Sequence, residues 1–181
     1  MKQHYETLGD IAGMLHAAEY SFESYITDPD SGDFEVGYNV QAMGDKVIVG
    51  GIPNRDYLNV VDKRQLSFID GFDHTICPHV SDAEQHVREE RNERQFVEPF
   101  VSVESVQAND GIEYFDGVVV AQRIHPDDGV DSPEELSKVL RNVAFASQQL
   151  FNSVIEEFGV EIDDESATEP DDGGDAVRGF R

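Results

Sequence analysis

Residues 34–42 alternate strictly. Phe34, Val36, Tyr38, Val40 and Ala42 fall on one side, and Glu35, Asn39 and Gln41 fall on the other. A period of two is the signature of a strand with one buried and one wetted face. Such a strand needs hydrogen-bonded neighbours and a second layer over its apolar face, which commits the chain to a sheet packed on other elements. Met43-Gly44-Asp45-Lys46 reads as a turn, and Val47, Ile48 and Val49 begin the return strand of a hairpin. Beyond Gly50-Gly51 and Pro53-Asn54, residues 57–61 read as a third strand, with a continuation through 66–69.

Helical spacing frames these strands. Leu8, Ile11, Ala12, Leu15, Ala18, Phe22 and Tyr25 recur three and four apart, which predicts a helix over residues 5–25. Gly9 and Gly13 weaken it, by about 1 kcal/mol each relative to alanine. The Pro- and Gly-punctuated stretch 27–33 is a loop with a faint likeness to a calcium loop, lacking the ligand spacing and terminal Glu of an EF-hand. Ser81 with Glu84 forms a capping-box pattern ahead of a very polar helix over 82–94. Glu84 and Arg88, and Glu90 and Arg94, stand four apart there and can pair.

Residues 96–106 alternate again, with Val97, Pro99, Val101 and Val103 on one face. Proline cannot donate a ladder hydrogen bond, so this strand belongs at an edge. Asn109-Asp110-Gly111 is a hairpin turn, and residues 112–124 return, with Gly117 marking a bulge or a twist. Asp127-Asp128-Gly129 closes that strand. Ser132-Pro133-Glu134-Glu135 then opens the clearest helix in the chain, with serine as cap, proline at the first helical position and Glu135 completing the capping box. Leu136, Val139, Leu140, Val143, Leu150, Phe151, Val154, Ile155 and Phe158 line one face, and Gly159 is a natural stop.

The elements give an α+β fold: an antiparallel sheet of about five strands in the order α-β-β-β-α-β-β-α, packed against helices. One domain is expected over 1–159. Residues 160–181 hold eight acids without apolar periodicity and read as an acidic, disordered tail.

The charge carries its own message. The 181 residues hold 38 acids against 13 Lys plus Arg, a formal net charge of −25, and lysine occurs only at positions 2, 46, 63 and 138. At low salt such a surface repels a phosphate backbone and an anionic membrane, so neither nucleic acid nor membrane is an expected partner. The acids spread over nearly every segment, which resembles the cytoplasmic proteins of salt-in halophiles. At about 1 M salt the Debye length is about 3 Å, and self-repulsion is largely screened. No apolar run approaches the roughly 18 residues of a membrane-spanning helix. The lone Cys77 forms no disulfide within the chain, and the first residues lack the pattern of a signal peptide, which together point to a reducing cytoplasm.

The element order, with the run Gly117-Val-Val-Val-Ala-Gln-Arg-Ile-His-Pro-Asp-Asp-Gly-Val-Asp-Ser-Pro-Glu-Glu-Leu136 leading from a strand through a turn into a capped helix, resembles the YbjN and type III secretion chaperone-like family over residues 5–158. The chain departs from that family in a long, His-rich segment between the third strand and the middle helix. The resemblance implies a non-enzymatic, often dimeric protein that binds other polypeptides, and it supplies no catalytic residues.

Two chemistries compete for the His-rich segment. His74, Cys77, His79 and His86, with Asp73 and Asp82 beside them, are residue types that bind zinc, and His74-x-x-Cys77 has the spacing of a metal knuckle. The bland alternative is a polar loop that happens to carry histidines. A nucleophilic Cys77 would need a histidine brought near and an oxyanion hole. Phosphate-loop, nucleophile-elbow and zinc-protease motifs are missing from the sequence. Residues 88–94, with three arginines, read as a solvated helix face or a docking surface for an acidic partner. The leading expectation is a non-enzymatic, protein-binding adaptor or chaperone-like protein, a homodimer of a halophile cytoplasm. The alternative is a metal-binding regulatory or enzymatic domain using the four residues between 74 and 86.

Overall fold

The computed structural model describes residues 4–27, 30, 34–53, 57–96, 99–125 and 130–162. Most of the loop over 27–33, the strand end at 127–129 and nearly all of the expected acidic tail lie outside the described residues. Three helices, α1 (His4–Ala17), α2 (Val80–Arg94) and α3 (Pro133–Glu157), accompany six strands: β1 (Phe22–Ile26), β2 (Val36–Ala42), β3 (Asp45–Gly51), β4 (Leu58–Gln65), β5 (Phe100–Gln107) and β6 (Glu113–Ile124). The strands form one antiparallel sheet in the order β1-β2-β3-β4-β6-β5. The α+β class is as expected, with one strand more than anticipated.

That extra strand was hidden in the helical periodicity of residues 5–25. The helix ends at Ala17 because Glu19 turns left-handed, with φ 61°. The amides of Glu19 and Tyr20 reach back to the carbonyls of His16 and Leu15, at 3.1 and 3.0 Å. This is a Schellman closure built on a non-glycine residue. Phe22 and Tyr25 then belong to β1, where Phe22 pairs with Val40 and sets its ring edge-on to Tyr38 at 5.3 Å. Aromatic spacing of three suits a helix face, but two aromatic residues in a five-residue run also suit an extended strand.

The β2–β3 hairpin is tighter than the sequence implied. Met43 and Gly44 alone form the turn, both with positive φ, and Ala42 pairs with Asp45. This is the two-residue geometry whose twist matches paired strands. β4 runs on to Gln65 and ends in a 3₁₀ turn over Leu66–Phe68, in place of the expected continuation of the strand. Gly117 of β6 is explained by a close approach: a Cβ there would collide with the Arg64 backbone.

The described residues group into two compact units, one from residues up to Asp62 with Ala121–Phe145, the other from Lys63–Val120 with residues 146–162. In the first, Leu8, Ile11 and Leu15 of α1 are buried, as are Val40, Val47, Val49, Leu58 and Val60 from the strands and Leu136, Leu140 and Val143 from α3. Two hydrogen bonds fix these layers: the Tyr38 hydroxyl donates to the Leu8 carbonyl at 3.0 Å, and Tyr20 and Ser137 share one at 2.7 Å. In the second, Leu66, Ala83, Val87, Phe115, Val118, Leu150 and Val154 are buried, and the rings of Phe115 and Phe151 sit 6.0 Å apart.

Helix ends follow the sequence at α3 and depart from it at α2. Ser132 Oγ accepts from the Glu135 amide at 3.2 Å, while the Glu135 carboxylate reaches back to the Asp131 amide, also at 3.2 Å. Gly159 is left-handed, and the amides of Gly159 and Val160 close onto Glu156 and Ile155. Val160, expected to begin the tail, is buried. α2 starts at Val80, and its cap position falls on His79, two residues ahead of the expected Ser81 cap, with no side-chain cap bond. The cause lies upstream: the Phe115 amide donates to the Pro78 carbonyl at 2.9 Å and His79 bridges to Tyr114, so the chain is already fixed when the helix begins.

Candidate functional site

The four candidate metal ligands are dispersed onto separate partners. His74 lies in a 3₁₀ turn capped by Asp73, whose carboxylate accepts from the Thr75 amide at 3.0 Å and hydroxyl at 2.7 Å. These bonds hold the Asp73 carboxyl below the usual carboxylate range. His74 Nε2 sits 2.8 Å from Asp116 Oδ1, and its ring stands edge-on to Phe72 at 5.1 Å. His79 presents its ring to Tyr114 at 5.5 Å. His86, on α2, places Nε2 3.2 Å from Ser153 Oγ and packs edge-on to Phe158 at 5.8 Å. Among the described residues, no group of three or more His, Cys, Asp or Glu side chains converges to hold a metal ion. Short sequence spacing put the four candidates on a turn, a loop and a helix, and each element aims its side chain elsewhere.

Cys77 is buried, and its thiol is pushed up to about 12. Burial is the main cause, and the carboxylates of Asp116 and Asp73 add to it. A thiol so held stays protonated at neutral pH, which is the opposite of an activated nucleophile. Nucleophilic cysteine chemistry therefore has no support at this position.

The residue that organises this region went unnoticed in the sequence. Asp116, on β6, is buried; its carboxylate accepts from the Ser67 amide at 2.8 Å, from Ser67 Oγ at 2.9 Å and contacts His74. The side chains of His74 and Asp116 are 11% and 4% exposed. Ser67 and His74 both bond to the aspartate and not to each other, so the set is not a nucleophile–base–acid relay, in which histidine must stand in the middle. It is a buried carboxylate that pins two loop segments. The only sequence signal was an aspartate amid an otherwise apolar strand core.

Chemistry of a different kind gathers where α2 lies against β5. Glu84, Val87, Arg88 and Arg91 from the helix and residues 100–103 from the strand line a groove. Arg91 is committed to structure: its guanidinium donates to the carbonyls of Phe96 at 3.0 Å and Pro99 at 2.8 Å. Arg94 pairs with Glu90 at 2.8 Å and donates to Gln149 at 2.8 Å. Two of the three arginines in the expected docking face are thus held by the chain itself, and Arg88 is the one that lines the groove without such a bond described. β5 closes the sheet order, as Pro99 implied, and Phe100 is 67% exposed at its start.

No helix among the described residues is long and apolar enough to cross a membrane. Comparison with known protein families finds no matching family model, and comparison with curated proteins finds no match.

Proposed function

We propose that the chain is a non-enzymatic, protein-binding adaptor of chaperone-like type, working in the salt-rich cytoplasm of a halophile and self-associating through β5. One observation carries the reading: β5 ends the sheet with eight residues of which only Glu104 is charged. An edge strand offers unpaired amides and carbonyls to any incoming strand, and proteins usually guard such edges with charge.

Self-pairing also suits the residues. A two-fold axis perpendicular to the sheet keeps each side chain on its own face, so residues of like parity meet. Centring that axis on Val103 sets Phe100 opposite Val106 and Ser102 opposite Glu104. Centring it on Glu104 would oppose two carboxylates, which is unfavourable. With −25 on each copy, association strengthens as salt rises.

Light scattering coupled to size exclusion, run from 0.2 M to multi-molar KCl, tests the proposal. A dimer that strengthens with salt and is lost on Val103→Lys is the expected result. A monomer at every salt concentration refutes self-association through β5.

A further inference from the structure

A groove of about 390 Å³ opens within the unit that carries β5, between the 3₁₀ turn over His74–Ile76 and the end of that strand. Phe72, Val106 and Ala108 give it half-buried apolar walls, and Asp73, Thr75 and Asp110 stand beside them. A cavity of roughly 150 Å³ already holds a benzene ring, so the groove has room for a phenyl side chain. The Asp73 carboxylate takes both Thr75 bonds on Oδ1, which leaves Oδ2 available to the positive edge of such a ring.

The strand that ends at this groove begins with a ring of that kind. Phe100 is 67% exposed. Phe100, Ser102, Glu104 and Val106 alternate with Val101, Val103 and Ser105, so Phe100 and Val106 stand on one face of β5. Six residues of strand separate them by roughly 20 Å, too far for Phe100 to enter the groove of its own copy. A second copy can bring it there. With β5 paired about Val103, the partner's Phe100 lies directly opposite Val106, on the same face and with Cβ atoms about 4.5–5.5 Å apart.

We propose that the groove beside Val106 receives the partner's Phe100, so that the two-fold pair buries two rings, one in the groove of each copy. The inference rests on self-association through β5 and adds what that pairing needs. Specific interfaces bury about 1,200 Å² or more, and eight paired residues at a sheet edge are a narrow contact. Two phenylalanine rings and the walls that cover them contribute on the order of 500 Å² toward that total. The docking also selects one register, because pairing about any other residue carries the ring away from Val106.

Sedimentation equilibrium of the full chain in multi-molar KCl measures the dimer dissociation constant. Phe100→Ala should raise it by about 100-fold, roughly tenfold for each of the two rings. Phe68→Ala trims a ring exposed to a like degree on the turn after β4, and should leave the constant within about twofold. Isotope-filtered NOE spectra of dimers that mix labelled and unlabelled wild-type chains read the geometry directly. Contacts are expected between the Phe100 ring of one copy and the methyl groups of Thr75, Val106 and Ala108 in the other. A Phe100→Ala dimer of wild-type affinity, an equal weakening by Phe68→Ala, or a dimer without those NOE contacts overturns the groove assignment, and leaves strand pairing in place if Val103→Lys still abolishes the dimer. A wild-type chain that stays monomeric overturns the strand pairing and the groove assignment with it.

Discussion

Replacing Asp116 by alanine removes the acceptor for three polar contacts at once. Two come from Ser67 and one from His74, all between 2.8 and 2.9 Å. A hydrogen bond to a charged group contributes about 1.5–3 kcal/mol, and breaking one side of a buried charged network costs about 3–5 kcal/mol. Ser67 is exposed and can turn to water, whereas the His74 side chain is only 11% exposed. Water thus recovers part of the loss, and Asp116→Ala should cost about 3 kcal/mol, at the lower end of that range. For a chain of this size that lowers Tm by roughly 6–12 °C. Urea unfolding at constant KCl is the suitable assay, because guanidinium would change the ionic strength along the titration. A cycle with His74→Ala isolates the histidine's share, expected at about 1–2 kcal/mol of coupling. An Asp116→Ala loss below about 1 kcal/mol, or a coupling near zero, would refute the view that this carboxylate pins the two loop segments. A second readout is independent of stability. Without the Asp116 carboxylate the Cys77 thiol should ionise at lower pH, yet remain above an ordinary thiol because burial is the larger cause. Alkylation rate against pH measures that shift.

Gly9→Ala and Gly13→Ala should each stabilise the chain by up to about 1 kcal/mol, since both lie within α1 with open space at the Cβ position; urea midpoints will show it, and a loss of stability would contradict the open geometry. Gln95 ends α2 at φ 57°, so Gln95→Gly should raise stability by about 1 kcal/mol, read the same way, with no gain arguing against a strained left-handed residue. Stability should fall as pH rises from about 9 to about 12, because the unfolded thiol of Cys77 releases its proton near 9 while the folded one holds it to about 12. Tyr38 and Tyr114 are also raised and act in the same direction at higher pH, so Cys77→Ala should remove only the onset of the decline near pH 9.

Much of the fold was legible because it rests on local periodicity. The alternation of 34–42, the hairpin turn at 109–111 and the capped helix from Pro133 all appear where the residues put them. The misreadings share one physical cause, which is that chain ends and turns are decided by partners far away in sequence. Phe22 and Tyr25 fit a helical stripe, but a backbone neighbour in β2 was on offer, and the extended form satisfied it. Ser81 had every local qualification as a cap, yet the chain was already anchored at Pro78 and His79 by residues more than thirty positions on. Local preferences of about 1 kcal/mol give way when a tertiary hydrogen bond fixes the backbone first.

The candidate site was less legible, for a related reason. Residue type attracted attention to His74, Cys77, His79 and His86, while the group that organises the region is one carboxylate among 38. In a chain this acidic, composition masks a structural carboxylate, and only burial separates Asp116 from the solvated majority. The same masking works in reverse elsewhere. Low-acid stretches stand out against that background: residues 136–155 of α3 carry no acid, and β5 has a single carboxylate in eight residues. High salt screens the charge that covers everything else, so specificity in such a protein falls to short-range contacts, to strand pairing and to apolar fit. β5, at the edge of the sheet, is suited to contacts of that kind, and that is why the proposed self-association rests on it and not on the net charge.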